Sequence, residues 1–334
     1  MRPKVADGDF FDMSLNECPY PPLPEVQEAA KRSIERAHLT LDAISTKLGA
    51  AIADHHGVPA TDVLVGPGSG SLLQQLFTTI AGPSGATVHA WPSWEAYPIM
   101  AANAGSRTIG VPLAGDVHDL DAMAAAVTPD TRMVLVCNPN NPTGTAVGPA
   151  AMRAFLDALP SDVVVVIDEA YRDFSADEVA DGIELYRNDD RVCVVRTFSK
   201  SYSLLSLRVG YLVAHGKVTE RLRGTTFFNR VSSVAQDAAM AALAAHETIA
   251  RRWAETRNER DRVREALVEQ GWQVSPSEGN FLWIATPEHA EALTGFCAEN
   301  GVVVCGKPGE GVRVTIAEKA ANDAFVDAAG RFSP

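Results

Sequence analysis

The chain has 334 residues, of which 42 are Asp or Glu and 29 are Lys or Arg, so its formal net charge is −13. An apolar fraction of 46% and a charged fraction of 21% are typical of globular proteins and exclude disordered and fibrous folds. The acidic balance argues against a nucleic-acid partner, and the apolar runs are too short to span a membrane. At this length we expect one large and one small domain.

The cysteines and the start of the chain predict a reducing compartment. Five cysteines without a CxxC spacing favour neither a disulfide framework nor a structural metal site. The first fifteen residues lack the apolar stretch of a secretory signal. We therefore expect a cytoplasmic protein without a bound metal.

Runs rich in Val and Ile predict the strands of one sheet. They cover residues 63–65, 87–91, 107–111, 133–137, 163–167, 192–196 and 211–214. Segments with helical spacing lie between most of them, and the strands are continuously apolar rather than alternating. This pattern predicts an α/β large domain whose mostly parallel, seven-stranded sheet is sandwiched by helices.

The C-terminal part has a different pattern. Neither Gly nor Pro occurs between residues 225 and 270, which predicts one long helix over 233–270. Beyond it, a small α+β domain is predicted, with strands at 272–275, 281–285, 302–305 and 312–316 and helices at 287–300 and 319–329. The predicted organisation is an N-terminal segment that joins the small domain (1–35), the large domain (36–232), a connecting helical region (233–271) and the small domain (272–334).

A glycine-rich turn, Gly-Pro-Gly-Ser-Gly-Ser at 66–71, lies between a predicted strand and a predicted helix. Free backbone N–H groups at a helix N-terminus can bind a phosphate. Tight turns also use glycine for steric reasons, so the turn alone leaves both interpretations open. Its spacing fits neither a dinucleotide-binding motif nor a Walker A loop.

Three further segments follow predicted strands and carry polar side chains. They are residues 138–144, the acidic pair Asp168 and Glu169, and Lys200 with Arg208 eight residues later. Taken singly, each has an ordinary structural explanation as a turn, a helix cap or a solvated lysine. Because the carboxyl ends of parallel strands meet at one rim, we expect all of them at one site. A lysine, an aspartate and phosphate donors are the set that holds pyridoxal phosphate.

The chain resembles the fold-type I, class I/II pyridoxal-phosphate aminotransferases, most closely the histidinol-phosphate and aromatic amino acid branch. The resemblance rests on Asn-Pro-Thr-Gly at 141–144, Asp-Glu-Ala-Tyr at 168–171 and Ser-Lys at 199–200. It runs from Ser-Leu-Asn-Glu-Cys-Pro-Tyr at 14–20 to Gly-Val-Arg-Val-Thr at 311–315. It implies a homodimeric enzyme that moves an α-amino group from an amino acid to a 2-oxo acid by a ping-pong mechanism.

The resemblance also implies roles for residues around the cofactor ring. Lys200 matches the catalytic lysine that forms the internal aldimine and moves a proton between Cα and C4′. Asp168 and Tyr171 match catalytic residues that bind the ring nitrogen and the ring hydroxyl. Asn141 matches a second ligand of that hydroxyl, and Trp94 matches the aromatic residue that stacks on the ring.

The phosphate and the substrate are assigned in the same way. Arg313 matches the arginine that binds the substrate α-carboxylate, while Asn280 and Tyr20 match positions near the substrate. The residues implied for the phosphate are Ser69, Gly70, Thr197, Ser199 and Arg208.

Three positions depart from the family pattern. Thr40 stands where relatives carry a tyrosine that reaches the cofactor of the partner subunit, and Cys305 stands where many carry an arginine. In histidinol-phosphate enzymes that arginine binds the substrate phosphate, so Cys305 argues against histidinol phosphate. Arg230 replaces a small or apolar residue, and either Arg230 or Lys307 is a candidate for binding an acidic or polar substrate side chain. A surface role for Arg230 is the equal alternative.

Two other functions stay open at this stage. Thr40 and Cys305 are compatible with a decarboxylation, elimination, cyclisation or oxidation on the same scaffold. A binding module that has lost its chemistry is the second alternative, but Lys200, Asp168 and Arg208 are all intact.

Overall fold

The computed structural model describes residues 10–226 and 230–333. Residues 1–9 of the predicted N-terminal segment, 227–229 of the predicted large domain and 334 lie outside the described residues. The described strands, in chain order, are β1 (Phe11–Asp12), β2 (Val63–Gly66), β3 (Ala86–Trp91), β4 (Arg107–Pro112), β5 (Thr131–Cys137), β6 (Val164–Asp168), β7 (Val192–Thr197), β8 (Gly210–Ala214), β9 (Phe281–Ala285), β10 (Val302–Val303), β11 (Cys305–Lys307) and β12 (Gly311–Thr315).

Helices connect most of these strands. The described α-helices are α1 (Pro24–Ile34), α2 (Thr46–His56), α3 (Ser69–Leu76), α4 (Ala96–Asn103), α5 (Leu120–Ala125), α6 (Pro149–Ala158), α7 (Gly182–Tyr186), α8 (Gly216–Arg223), α9 (Ser233–Ala244), α10 (His246–Glu269), α11 (Ala290–Glu299) and α12 (Lys319–Arg331). A π-helical turn, Phe77–Ala81, continues α3, and short 3₁₀ turns lie at Ala60–Asp62, Arg172–Phe174 and Leu205–Leu207.

Seven strands form the central sheet, in the order β2-β8-β7-β6-β5-β3-β4. Only β8 runs antiparallel to its neighbours within this sheet. Alternate residues of β6 pack into apolar clusters on opposite faces of the sheet: Val165 and Ile167 into one, Val166 into the other. Burial on both faces explains why the strands are continuously apolar. The prediction of a mostly parallel seven-stranded sheet between helices is confirmed.

The prediction of one helix over 233–270 is wrong. Helix α9 ends at Ala244, and Ala245 has φ −94° and ψ 17°, outside the helical range. Residues of α9 such as Ala238 pack into the core beside the central sheet, whereas Val263 of α10 packs into the small-domain core. Ile249 and Trp253 in the first turns of α10 still pack into the large core, so the change from one core to the other falls within α10 and not at the break. Because no Gly or Pro marks it, the sequence did not indicate it.

The small domain contains a three-stranded antiparallel sheet in the order β11-β12-β9. The strand predicted at 302–305 is divided, because β10 pairs with β1 while β11 pairs with β12. The prediction of a strand at 272–275 is wrong, since only an isolated bridge between Val274 and Ile284 forms there. Pairing of β1 with β10 ties the N-terminal segment to the small domain, while Val26 of α1 packs into the large core. The domain boundaries stay a prediction.

Over 10–226 and 230–333, no helix combines the length and apolarity needed to cross a membrane. The same ranges contain no group of three or more His, Cys, Asp or Glu residues placed to hold a metal ion. The thiols of all five cysteines are free.

Candidate active site

The candidate site lies where the central strands end. Strand β5 ends at Cys137 and β6 at Asp168, and these two residues are paired in register. A cavity of about 160 Å³ opens at this rim. Its lining includes all ten residues implied for the cofactor, namely Ser69, Gly70, Trp94, Asn141, Asp168, Tyr171, Thr197, Ser199, Lys200 and Arg208, together with Cys137, Ala170 and Leu205. The fold therefore brings together segments that are far apart in the sequence, and the individual roles stay predictions.

The glycine-rich turn is built for close approach at one end of the cavity. Gly68 has φ +81°, and a Cβ there would lie 2.5 Å from Nη2 of Arg208. A Cβ at Gly210 would lie 2.7 Å from the backbone N of Ser69. Helix α3 begins at Ser69, so its first N–H groups and its dipole favour an anion here.

Side chains from the segment after β7 complete this end. The Thr197 hydroxyl donates to Oγ of Ser199 at 2.9 Å, and Nη1 of Arg208 donates to the same oxygen at 3.3 Å. Arg208 has φ +53°, a left-handed conformation that is unusual for a side chain other than glycine. Hydroxyls, a guanidinium and a helix N-terminus form a suitable donor set for a phosphate.

Asp168 also lines the cavity and is buried. Its Oδ2 accepts a hydrogen bond from the Tyr97 hydroxyl at 2.8 Å, and its Oδ1 accepts one from the Ala170 N–H at 3.2 Å. Burial raises the pKa of Asp168 to about 6, although both hydrogen bonds act in the opposite direction. Sequence reasoning missed Tyr97; the available signal was its position three residues after Trp94, whose ring it contacts edge-on at 5.6 Å.

Lys200 lies beneath the N-terminal segment. Its Nζ donates to the backbone oxygens of Leu15 and Asn16 at 3.0 and 3.1 Å. Burial, followed by the positive charges of Arg313 and Arg208, lowers the pKa of Lys200 to about 8. A much larger fraction of its amine is therefore neutral, and nucleophilic, near physiological pH than for an exposed lysine.

A hydrogen-bonded group links Arg313 to the cavity. Nη1 of Arg313 donates to Oδ1 of Asn141 at 2.5 Å, and Nη2 donates to the Ser14 carbonyl at 2.7 Å. Its Nε is buried and has no partner among the described residues, which leaves a donor for a ligand. The Asn16 amide donates to the Tyr171 hydroxyl at 2.9 Å. Asn16 was also missed as a site residue, although it belongs to the motif at 14–20.

Asn280 and Tyr20 lie outside the cavity lining. The Asn280 amide donates to the carbonyls of Asn16 and Glu17 at 3.3 Å, and within the described residues its Oδ1 has no partner. Asn280 thus supports the segment that covers Lys200. The Tyr20 ring lies 5.3 Å from the guanidinium carbon of Arg252, and burial raises the pKa of Tyr20 to about 12.

Arg230 and Thr40 lie away from the cavity in this chain. The Arg230 guanidinium donates to the Val65 carbonyl at 2.9 Å and to Oε1 of Gln75 at 3.0 Å. These contacts attach it to β2 and α3, and neither groove that it borders contains a cavity residue. Arg230 is thus partly buried and bound within the fold instead of lying free at the surface, and this geometry does not favour the substrate-binding interpretation. Thr40 is exposed and borders a separate surface groove.

The residues present fit pyridoxal phosphate. The cavity combines a phosphate cradle, a buried carboxylate, an indole ring and a lysine amine of lowered pKa. The glycine contacts support the fit, since a side chain at Gly68 would displace Arg208.

The family model described as Aminotransferase class I and II matches residues 8–328. The chain belongs to this family. Aromatic amino acid aminotransferases from Streptomyces coelicolor and Thermobifida fusca are 47% and 45% identical to it. The alignment with the Streptomyces protein covers 99% of this chain and 93% of that protein. The alignment with the Thermobifida protein covers 97% of this chain and 90% of that protein.

A solved histidinol-phosphate aminotransferase from Sinorhizobium meliloti, in complex with pyridoxal 5′-phosphate, superposes with a TM-score of 0.90. It is 25% identical, with 98% of this chain and 90% of that chain covered. The predictions of a fold-type I architecture, a pyridoxal-phosphate cofactor and amino acid aminotransferase activity are thereby confirmed. The aminotransferase uses an amino acid and a 2-oxo acid, and the alternative chemistries receive no support.

Proposed function

We propose that the aminotransferase takes aromatic amino acids as donors and does not act on histidinol phosphate. The observation that carries this proposal is the pairing of Cys305 with Arg313 across β11 and β12. A neutral thiol, rather than a second guanidinium, lies beside the residue proposed to bind the α-carboxylate. It lacks the guanidinium fork that binds a phosphate through paired hydrogen bonds, and the relatives named for aromatic substrates agree with this choice.

Arg313 is proposed to fix the substrate through its α-carboxylate. Its guanidinium presents a planar set of donors that matches a carboxylate in two parallel hydrogen bonds. Its contacts with Asn141 and Ser14 hold it beside the cavity, and its unpartnered Nε is a donor for the incoming carboxylate. An amino acid bound in this way directs its amino group and Cα toward Lys200.

Lys200 is proposed to act as the base that removes the proton from Cα and returns it at C4′. When bound, pyridoxal phosphate supplies the electron sink that makes this proton removable. The lowered pKa of Lys200 provides a neutral amine for the task. Asp168 would hold positive charge at the ring nitrogen of the bound cofactor, while Asn141 and Tyr171 would hydrogen-bond the ring hydroxyl. The same residues serve the 2-oxo acid in reverse, as a ping-pong mechanism requires.

Absorbance spectra of the holoenzyme, recorded with single amino acids and no 2-oxo acid, test the substrate proposal. We expect phenylalanine, tyrosine and tryptophan to convert the cofactor to its pyridoxamine form faster than aliphatic amino acids or histidinol phosphate do. Faster conversion by histidinol phosphate would contradict the proposal.

We further propose that the aminotransferase is a cytoplasmic homodimer. Three large apolar side chains lie exposed within one short stretch of chain. They are Ile34, Leu39 and Ile44, which are 60%, 59% and 63% exposed. Apolar side chains clustered in this way are typical of a surface that another protein covers. Light scattering coupled to gel filtration measures the mass, and replacing Leu39 and Ile44 with Lys should shift it toward that of one chain.

A further inference from the structure

An ion pair links the two domains beside the candidate site. Nζ of Lys307, on β11 of the small domain, lies 3.0 Å from Oε1 of Glu95, between β3 and α4 of the large domain. Although partial burial opposes ionisation, hydrogen bonds from its own backbone and from Lys307, with the charges of Lys307 and Arg313, keep the pKa of Glu95 below its usual value. The Glu95 carboxylate is therefore charged at neutral pH.

The strand register places this pair close to the substrate-binding residues. Cys305 lies opposite Arg313, and Lys307 lies two residues farther along β11. Because side chains alternate along a strand, Lys307 shares a sheet face with Cys305 and Arg313. Glu95 directly follows Trp94, which lines the cavity. The ion pair thus joins Glu95, next to Trp94 in the cavity lining, to Lys307 on β11, the strand that pairs with the strand of Arg313.

The two partners differ in exposure, and this decides how firmly they are joined. The Lys307 side chain is 22% exposed, whereas the Glu95 side chain is 54% exposed. A half-exposed ion pair contributes little net free energy, because water solvates the separated charges almost as well. A second carboxylate of comparable charge, held in place by a bound substrate, competes with Glu95 at little cost.

We propose that Lys307 binds the distal carboxylate of a dicarboxylic amino acid or 2-oxo acid, and that Glu95 is its displaceable counter-ion. A ping-pong enzyme uses one site for donor and acceptor, and the two side chains can differ in charge. With an aromatic substrate, Lys307 stays paired with Glu95, so no unpaired charge faces the ring. With a dicarboxylic substrate, Glu95 turns to solvent and Lys307 pairs with the substrate. The inference rests on the proposed function, since it requires Arg313 to hold the α-carboxylate.

Single-turnover half-reactions with glutamate and with phenylalanine test the inference through the ratio of their kcat/KM values. We expect Lys307→Met to lower the glutamate-to-phenylalanine ratio at least tenfold, and Lys307→Arg to keep it within about threefold of wild type. Glu95→Gln should raise the ratio, because no counter-ion has to be displaced. Lys319→Met is the matched control: it removes a lysine paired at 2.7 Å with Asp323 on the exposed side of the small domain, and should not alter the ratio.

The inference is overturned if Lys307→Met lowers both kcat/KM values by the same factor, which is the signature of a purely structural pair. It is also overturned if the wild-type enzyme reacts with phenylalanine but not with glutamate, a result that leaves the proposed function intact. Reaction with glutamate that depends on Lys307, without reaction with any aromatic amino acid, would support the inference and contradict the aromatic proposal. Reaction with neither would overturn both.

Discussion

The Tyr97 hydroxyl donates a hydrogen bond of 2.8 Å to Oδ2 of Asp168, and both side chains are buried. Asp168 ends strand β6, and Tyr97 lies in the first turn of α4, which follows β3 in the chain. The hydrogen bond therefore ties the carboxylate to helix α4. It fixes the carboxylate in one orientation and stabilises its charged form. Tyr97 is therefore a positioning residue for the group that faces the cofactor ring.

Replacing Tyr97 with Phe tests this role. A hydrogen bond to a charged group contributes about 1.5–3 kcal/mol, and its loss raises the pKa of Asp168 further above about 6. Less of the carboxylate is then ionised at pH 7. We expect the Kd of the apoprotein for pyridoxal phosphate to rise about tenfold, which corresponds to about 1.4 kcal/mol. Titration of the apoprotein followed by fluorescence quenching measures this constant.

Tyr186→Phe is the matched control. The Tyr186 hydroxyl donates to Oδ2 of Asp62 at 2.5 Å, and both residues are buried but line no part of the cavity. This variant should lose stability without a change in cofactor affinity. An equal rise of Kd in the two variants would show that Tyr97 acts only through the stability of the fold.

The lowered pKa of Lys200 predicts how cofactor binding depends on pH. The amine has a pKa of about 8 instead of 10.5, and only its neutral form attacks an aldehyde. The rate of pyridoxal phosphate incorporation into the apoprotein should rise about tenfold per pH unit below about 8 and level off above it. Stopped-flow absorbance measures the rate, and a profile that keeps rising toward 10.5 would contradict the prediction.

The lowered pKa of Lys200 also predicts how the free energy of unfolding of the apoprotein changes with pH. Between about pH 8 and 10.5 the unfolded chain holds the Lys200 proton while the folded apoprotein does not. Stability from this group therefore increases as the pH rises through that window. Comparison of wild type with Lys200→Met in urea at pH 7 and pH 10 should give a larger stability gain for the variant at the lower pH.

Arg313→Met tests binding of the α-carboxylate. We expect kcat/KM for phenylalanine to fall roughly 100-fold, which corresponds to roughly 2.8 kcal/mol of lost carboxylate binding. 2-Phenylethylamine has the same ring and amino group but no carboxylate, so its reaction should change much less. Equal losses for the two compounds would contradict the assigned role of Arg313.

Arg230→Met separates the two interpretations of Arg230. Its guanidinium donates to the Val65 carbonyl and to Gln75, so its removal leaves polar groups without these partners. We expect a loss of about 1–3 kcal/mol in the free energy of unfolding and no change in the ranking of amino acid substrates. Urea unfolding and a substrate panel measure the two quantities. A changed ranking would restore the substrate-binding interpretation.

The strand ends were predictable because they depend on local chemistry. Buried parallel strands are continuously apolar, and the rule that ligands bind at their carboxyl ends then selects the segments after β2, β5, β6 and β7. The glycine-rich turn, Asp168 and Lys200 follow from that rule. The predicted strand at 163–167 differs from β6 by a single residue at each end.

The remaining features depend on packing between distant parts of the chain. The Glu95–Lys307 pair and the Tyr97–Asp168 hydrogen bond join segments whose spacing carries no periodic signal. Arg230 illustrates the same limit, because an arginine in a polar stretch gives no indication whether it points toward a ligand or toward the backbone of β2. The break at Ala245 carries no Gly or Pro signal, and residues on both sides of it, such as Ala242 and Ile249, pack into the same core.

The backbone segment that covers Lys200 determines when the site can assemble during translation. The carbonyls of Leu15 and Asn16 hold the amine, and the N–H of Asn16 is in turn held by Oγ1 of Thr315 at 2.9 Å. A ribosome makes residues 15 and 16 before Lys200 and makes Thr315 well after it. The nascent chain thus carries Lys200 before the residue that secures its cover has been made. The hydrogen-bonded cover can be complete only after Thr315 on β12 has been synthesised.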